Sequence, residues 1–353
     1  MGILRTIFAL SVVISHSDLV NGFALVGGKN AVRFFYVISG FLISYVLNNN
    51  KSYSDPIKFY INRALRLYPI YYFVAISTLI LYLLINHIFF DIYKKISLGA
   101  DSLLVFSNLF LFGQDWVMFS GIRDGSLAFF TDFRKSEFLL YTGLLVPQAW
   151  TLGVELSFYL IAPWILRDVK KILILLMFSI LLRIFLISLG FGLNDPWTYR
   201  FFPTELSLFL MGALSHVYLL PFWKKILNKT KLRIEVASTV GLIVFSLMYS
   251  LIPMPDRIKL IFFMAALVVL LPLTFIFQDK YKFDKKIGDL SYPIYIGHVL
   301  IIYIVAFLFD REGITKTSFI LMVNVIGSVL FAVALNYLVA DRVERFRREI
   351  RMS

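Results

Sequence analysis

The 353 residues are 59% hydrophobic and 16% charged, against about 45–50% and about 25% in a soluble domain. That excludes an ordinary water-soluble fold and predicts an all-α, polytopic membrane helical bundle; cysteine is absent and the four histidines form no HExxH motif or cluster, so disulfides, thiolate nucleophiles and a metal site are not expected. The formal net charge of +13 is read as basic cytoplasmic loops of a multispan protein, with membrane lipid rather than nucleic acid as its partner.

Apolar runs of spanning length fall at about 3–20, 31–48, 68–90, 149–166, 171–190, 203–220, 234–252, 258–277, 289–309 and 317–340, which predicts about ten transmembrane helices. The first run has no small-residue cleavage site after it and is expected to be an uncleaved span. It carries Arg5 and His16, eleven residues apart. Eleven steps of about 100° end about 20° past three turns, so both side chains share a face, about 16 Å apart along the axis. Ionisable groups in a span are costly and are functional candidates by default. The plain alternative makes Arg5 a topology anchor and His16 an interfacial residue.

The second run contains Phe34-Phe35-Tyr36-Val37-Ile38-Ser39-Gly40-Phe41. Its Ser39-Gly40 pair allows close helix approach, read as packing against the first span, which would bring Ser39 near the Arg5–His16 face. Arg33 is expected near the outer interface. The third span is expected to be opened by Arg63-Ala-Leu-Arg66 and Leu67-Tyr68-Pro69, with Pro69 starting or kinking it. Two arginines at i and i+3 share a face and suit either bidentate phosphate binding or plain charge anchoring.

Residues 91–148 are too long for a mere connection and are expected to form an extracytoplasmic lid or acceptor-binding element. The apolar piece at about 102–113 is read as re-entrant or interfacial. Trp150-Thr151-Leu152-Gly153-Val154-Glu155 opens the fourth span. Glu155 needs a partner there: His16, at similar depth, or a salt bridge to Arg33 or Arg183. In the ninth span, Ser291-Tyr292-Pro293-Ile294-Tyr295 precedes His298, either a second functional imidazole or a satisfied core histidine. His87 and His216 are read as interfacial.

Lysine and arginine concentrate in alternate loops, such as Lys51 to Arg66, Lys224 to Arg233 and Lys280 to Lys286, and in the tail from Arg342 to Arg351. Such an excess marks the cytoplasmic side, so both termini are expected there.

Taken in order, Arg-x10-His, FFYVISGF, RALRLYP, WTLGVELSFYL and SYPIYIGH make the chain resemble the integral-membrane acyltransferase-3 family over essentially its whole length. The resemblance implies transfer of an acyl group, usually acetyl, from cytoplasmic acetyl-CoA to a carbohydrate hydroxyl outside the cytoplasm. By position, Arg5 and His16 match the family's essential pair, Arg63 and Arg66 its cytoplasmic Arg-x-x-Arg, and Glu155 its acidic position. Many members carry a further soluble esterase-like domain. This chain stops after DRVERFRREIRMS and is expected to be a single integral-membrane domain, 1–353, in a bacterial inner membrane. That resembles modifiers of O-antigen, capsule or exopolysaccharide, with a free or lipid-linked acceptor.

Thioester-to-hydroxyl transfer needs a general base or an acyl-accepting imidazole, for which His16, aided by Glu155, is the candidate. Arg5, Arg63 and Arg66 are the candidates for holding the anionic end of coenzyme A. Ser39, Trp150, Tyr295 and His298 are expected to support the site. Rival readings are a multispan transporter or flippase for a polysaccharide precursor and a non-catalytic partner in export. The lack of a twofold echo between the halves argues against the transporter.

Overall fold

A computed structural model describes residues 1–17, 24–85, 87–192, 195–230, 232–310 and 318–352. The chain is nearly all helical. In order come α1 (Gly2–His16), α2 (Gly28–Asn49), α3 (Pro56–Ile85), α4 (Leu98–Phe110), α5 (Trp150–Ile165) and α6 (Val169–Ser188). Then α7 (Phe202–Leu214) runs through a π turn, Ser215–Leu219, into α8 (Leu220–Leu227). The remainder is α9 (Ile234–Met248), α10 (Asp256–Lys280), α11 (Lys282–Asp289), α12 (Ser291–Asp310), α13 (Ser318–Leu335) and α14 (Asp341–Met352).

Among the described residues, eight helices are long and apolar enough to cross a membrane. The two other expected spans, 3–20 and 149–166, are the 15-residue α1 and the 16-residue α5. Both bury much of their length against neighbouring helices. A helix sheathed by protein need not match the roughly 20 residues that lipid contact demands.

The third span also differs from expectation. α3 begins at Pro56, so Arg63 and Arg66 lie inside the helix rather than ahead of it, and Pro69 is internal. Pro56 at the helix start suits the missing N–H of proline. Pro293 stands in the first turn of α12, where it costs no hydrogen bond.

Backbone contact fixes the centre. A methyl group on Gly40 would come within 1.9 Å of the Phe209 carbonyl oxygen, and one on Gly212 within 1.9 Å of that of Val37. Gly40 therefore seats α2 on α7 rather than on α1, the expected partner of the Ser39-Gly40 pair, while α2 meets α1 at its start, where Gly28 N–H donates to Ser15 Oγ at 2.8 Å. Around this contact, Tyr36 stacks on Phe209 with ring centroids 4.7 Å apart, and Phe209 on Phe158 at 4.3 Å. α1 is positioned from its first turn: the N–H groups of Gly2 and Ile3 donate to Asp284 of α11 at 2.6 and 2.9 Å. The carboxylate satisfies orphan donors and complements the helix dipole.

Residues 91–148 hold the only strands among the described residues, an antiparallel hairpin of β1 (Ser120–Arg123) and β2 (Ser126–Phe129). Asp124 and Gly125, with φ of 50° and 70°, make the tight turn that such a hairpin favours. A small core of Ala100, Leu104, Val117, Ile122, Leu140 and Leu144 holds the segment together. α4 ends against α3, where the hydroxyls of Tyr68, Tyr71 and Tyr72 donate to the carbonyls of Phe110, Asn108 and Leu109 at 2.5, 2.7 and 2.5 Å. Three tyrosines within one helix thus satisfy carbonyls that the end of another leaves open.

Candidate active site

A cavity of about 410 Å³ runs between α1, α2, α3, α5, α12 and α14. Its polar lining gathers Arg5, Arg63, Arg66, Arg347, Ser39, Glu155, Tyr159 and Ser291. Three arginines expected at one end of the bundle therefore share one space, joined by Arg347 from the basic tail.

Arg5 is buried. Its Nε and Nη2 donate to Ser291 Oγ at 3.2 and 3.0 Å, and Nη2 also to the Gly288 carbonyl. All of these acceptors are neutral, so the charge is oriented without being cancelled. Gly288 meets Gly2 so closely that a methyl group there would lie 2.5 Å from the Gly2 Cα. That contact brings the α11–α12 corner within reach of Arg5. Arg63 donates to Asn62 Oδ1 at 3.0 Å and lies 5.6 Å over the Phe59 ring. Arg66 makes no ion pair among the described residues.

Glu155 is not beside His16. One carboxylate oxygen accepts from Ser39 Oγ and from the Tyr159 hydroxyl, each at 2.5 Å. Neither proposed arginine partner is there: Arg183 pairs with Glu205 at 2.8 Å, and Arg33 lies over the Tyr199 ring. Tyr159 stands four residues along the same helix, a spacing that could have named it as the partner. Trp150 does not line the cavity; Arg200 covers its ring at 4.1 Å, held by a bidentate bond to Asp195 at 2.6 and 3.0 Å.

His16 has His298 for a neighbour. His298 is fully buried, and its Nε2 lies 3.3 Å from His16 Nδ1. His298 Nδ1 is 2.7 Å from the Tyr295 carbonyl, and His16 Nδ1 is 2.9 Å from that of Val12. A carbonyl only accepts, so in a neutral pair both Nδ1 atoms carry their protons. His298 Nε2 then accepts from His16 Nδ1. This leaves the lone pair on Nε2 of His16, whose ring is exposed. A backbone carbonyl and a second imidazole thus set the tautomer, the task first assigned to Glu155.

Tyr295 connects the two regions. It lines the cavity, bonds to Thr151 Oγ1 at 2.8 Å and donates to the Gln148 carbonyl at 2.9 Å. Its ring centroid is 6.0 Å from that of Phe35 and 6.1 Å from that of His298. Neither His16 nor His298 lines the cavity, which ends at Phe35 and Tyr295 on this side. His216, expected at an interface, is buried with Nδ1 2.8 Å from Ser44 Oγ. The side chain of His87 lies outside the described residues.

Asp115 packs against the start of α5, where its Oδ1 would sit 2.5 Å from a methyl group on Gly153. Burial pushes its carboxyl up to about 7, against the pull of the backbone N–H groups of Asp115 and Trp116. Its ordinary value is 3.8, so between about pH 4 and pH 7 the unfolded chain loses this proton before the folded one. Stability from this group is therefore complete below the unfolded value and is lost as pH rises through about 7. Asp115→Asn is expected to flatten that fall and to melt higher than the wild type at pH 8 relative to pH 5. Melting curves of the detergent-solubilised proteins check this, and parallel pH profiles would refute it.

Comparison with known proteins supplies a family. A profile described as an acyltransferase domain, Acyl_transf_3, matches residues 1–340. The peptidoglycan O-acetyltransferase OatA of Listeria monocytogenes is 25% identical over 327 residues, which cover 85% of this chain and 48% of that protein. Uncharacterised proteins of Aquifex aeolicus and Haemophilus influenzae are 26% and 27% identical, over 59% and 68% of this chain and 90% and 93% of theirs. No solved structure matches.

Proposed function

Because the chain belongs to the acyltransferase-3 family and is an acyltransferase of the membrane, we propose that it carries an acetyl group from cytoplasmic acetyl-CoA to a carbohydrate hydroxyl outside a bacterial inner membrane. The single observation carrying this reading is the polarity of α1. Arg5 joins the other arginines in the cavity, while His16 is exposed about 16 Å along the same helix. α1 and α5 complete ten spans in this reading, and both termini face the cytoplasm, the side that basic loops mark. The chain acts as one integral-membrane domain, with residues 91–148 and the α4 segment over the acceptor side.

The arginine end suits the phosphates of coenzyme A, because guanidinium forks match phosphate oxygens. The cavity volume is in the range of sites for small molecules. Phe35 and Tyr295 must part for the thioester to reach His16. His16 Nε2 takes the proton of the acceptor hydroxyl as its oxygen bonds to the acyl carbon. The C–S bond then breaks, and the proton goes to the departing thiolate. Transfer through an acyl-imidazole would use the same nitrogen as nucleophile. Glu155, with Ser39 and Tyr159, orders the polar middle of the cavity, and Trp150 braces its outer end through Arg200. The acceptor is a sugar of O-antigen, capsule or exopolysaccharide, and the printed name of the Listeria relative adds peptidoglycan to these.

Membranes containing the protein are expected to move radiolabel from [acetyl]-coenzyme A into envelope polysaccharide, and NMR of that polymer should lose acetyl signals without the protein. Transport of a precursor with no label transferred would favour the flippase reading. Cysteines at Asn228 and Ser126 test orientation in intact cells, since both positions are exposed in the structure. An impermeant thiol reagent should reach Ser126→Cys alone; labelling of Asn228→Cys alone would invert the topology.

A further inference from the structure

A group of cations at the His16 end of the bundle has no part in the transfer chemistry. α2 starts beside the end of α1: a methyl group on Gly28 would lie 3.1 Å from Ser15 Cβ. That contact sets the first turn of α2, with Lys29 and, one turn on, Arg33, beside the end of α1 that carries His16. Both cations reach one ring: Lys29 Nζ and the Arg33 guanidinium carbon each lie 5.8 Å from the centroid of Tyr199. Arg200 lies 5.4 Å from the same centroid and is near enough to His16 to interact with the charge of its imidazole.

The neighbouring carboxylates are already engaged. Asp195 holds Arg200 at 2.6 and 3.0 Å and lies 3.7 Å from Arg134, which also has Asp132 at 3.8 Å. Glu205, whose charge Arg33 does feel, is bonded to Arg183 at 2.8 Å. Lys29 and Arg33 form no ion pair among the described residues. Arg33 Nη2 donates to the neutral Thr198 carbonyl at 3.5 Å, and its Nε is buried without an acceptor. Lys29 is exposed, and Arg33 stands half-buried one turn deeper. Unmatched cations belong on the cytoplasmic side of a membrane protein, so a pair at the opposite end calls for an anion to meet it.

We infer that Lys29 and Arg33 bind an anionic substituent of the acceptor, a carboxylate or a phosphate, so that the enzyme acts on an acidic carbohydrate. This rests on the transfer to a carbohydrate at His16 proposed above. A guanidinium fork matches the oxygens of either group, and the exposed ammonium adds a point charge that draws the polymer in. Held there, the acidic sugar would present a hydroxyl to the His16 end of α1.

The test uses the full-length protein in phosphatidylcholine nanodiscs and envelope polysaccharide from cells lacking the protein. Binding is titrated with the native polymer, with the polymer after carbodiimide and borohydride have reduced its carboxylates, and with the polymer after hydrofluoric acid has removed its phosphate. One of the two treatments is expected to weaken binding by roughly 10- to 150-fold, the range for a charge-assisted contact, and it tells carboxylate from phosphate. Arg33→Gln should bring a comparable loss with the native polymer, and the treatment should then cost little more, because its partner is already gone. Lys95→Gln, which removes an exposed cation from the 91–148 segment, should bind as the wild type does. Should Arg33→Gln fail to fold, Lys29→Glu reverses a charge at an exposed position and is expected to weaken binding by roughly 2- to 30-fold. Wild-type affinity in the folded variants, or binding that survives both treatments, would overturn the inference. So would an effect of the variants seen only when phosphatidylglycerol is added, which would make this a headgroup site. Label transfer from acetyl-CoA is followed in the same nanodiscs. A wild type that binds the acidic polymer but transfers nothing would overturn the acetyltransferase reading and leave the anion site standing.

Discussion

His16→Gln is expected to lower acetyl transfer by about 10²- to 10⁴-fold, the usual cost of losing a general base. Glutamine can donate and accept hydrogen bonds, but its amide cannot take up a proton at neutral pH. The exposed ring leaves a well-formed helix behind it: α1 is held by Asp284 at its start, by Arg5 on Ser291 and Gly288, and by Thr6 on the Ile287 carbonyl. Membrane level and melting temperature should therefore persist in the variant. Label transfer into polysaccharide, normalised to folded protein, gives the measurement. A loss well beyond 10⁴-fold would favour an acyl-imidazole over a base alone. Near-normal activity in a folded Gln variant would make His16 structural and move the search to His298, whose Nε2 already faces the same ring.

The helices were legible where apolar runs were long, because backbone groups in a lipid core can only be satisfied by helix or closed barrel. Their ends were not. α3 extends back to Pro56 because the polar turns around Arg63 pack against α14 and the cavity, a tertiary contact that hydropathy does not record. α1 and α5 are short for a similar reason: their sheath is protein. The shared face of Arg5 and His16 follows from helical spacing, and so does the pairing of Glu155 with Tyr159 at i+4. His298 beside His16 joins residues 282 positions apart, and Arg347 beside Arg63 joins helices at opposite ends of the chain. Nothing in local pattern fixes such pairs. Arg347 looked like topology charge because its neighbours Arg342 and Arg345 have that exposed character. Only its burial sets it apart.

Replacing Arg63 and Arg66 together with alanine is expected to raise the apparent KM for acetyl-CoA on the order of 10²- to 10⁴-fold, from charge-assisted contacts of about 1.5–3 kcal/mol apiece. The two lie one turn apart on α3 and would serve one anion, so the double loss should fall short of the sum of the single losses. Removing them should not unfold the protein. Arg66 has no ion pair among the described residues to break, and the contacts of Arg63 include the Asn62 side chain and the Phe59 ring. Taking two cations away from Arg5 and Arg347 also lowers the positive charge gathered in the cavity. The rate at saturating donor should then change far less than KM, because the chemistry is carried at the His16 end, about 16 Å away along α1. Raising ionic strength should weaken donor binding in the wild type more than in the double variant. Initial rates against donor concentration at two salt levels measure both effects. An unchanged KM in a folded double variant would leave these arginines as anchors of α3 at the membrane face and would place the donor phosphates elsewhere.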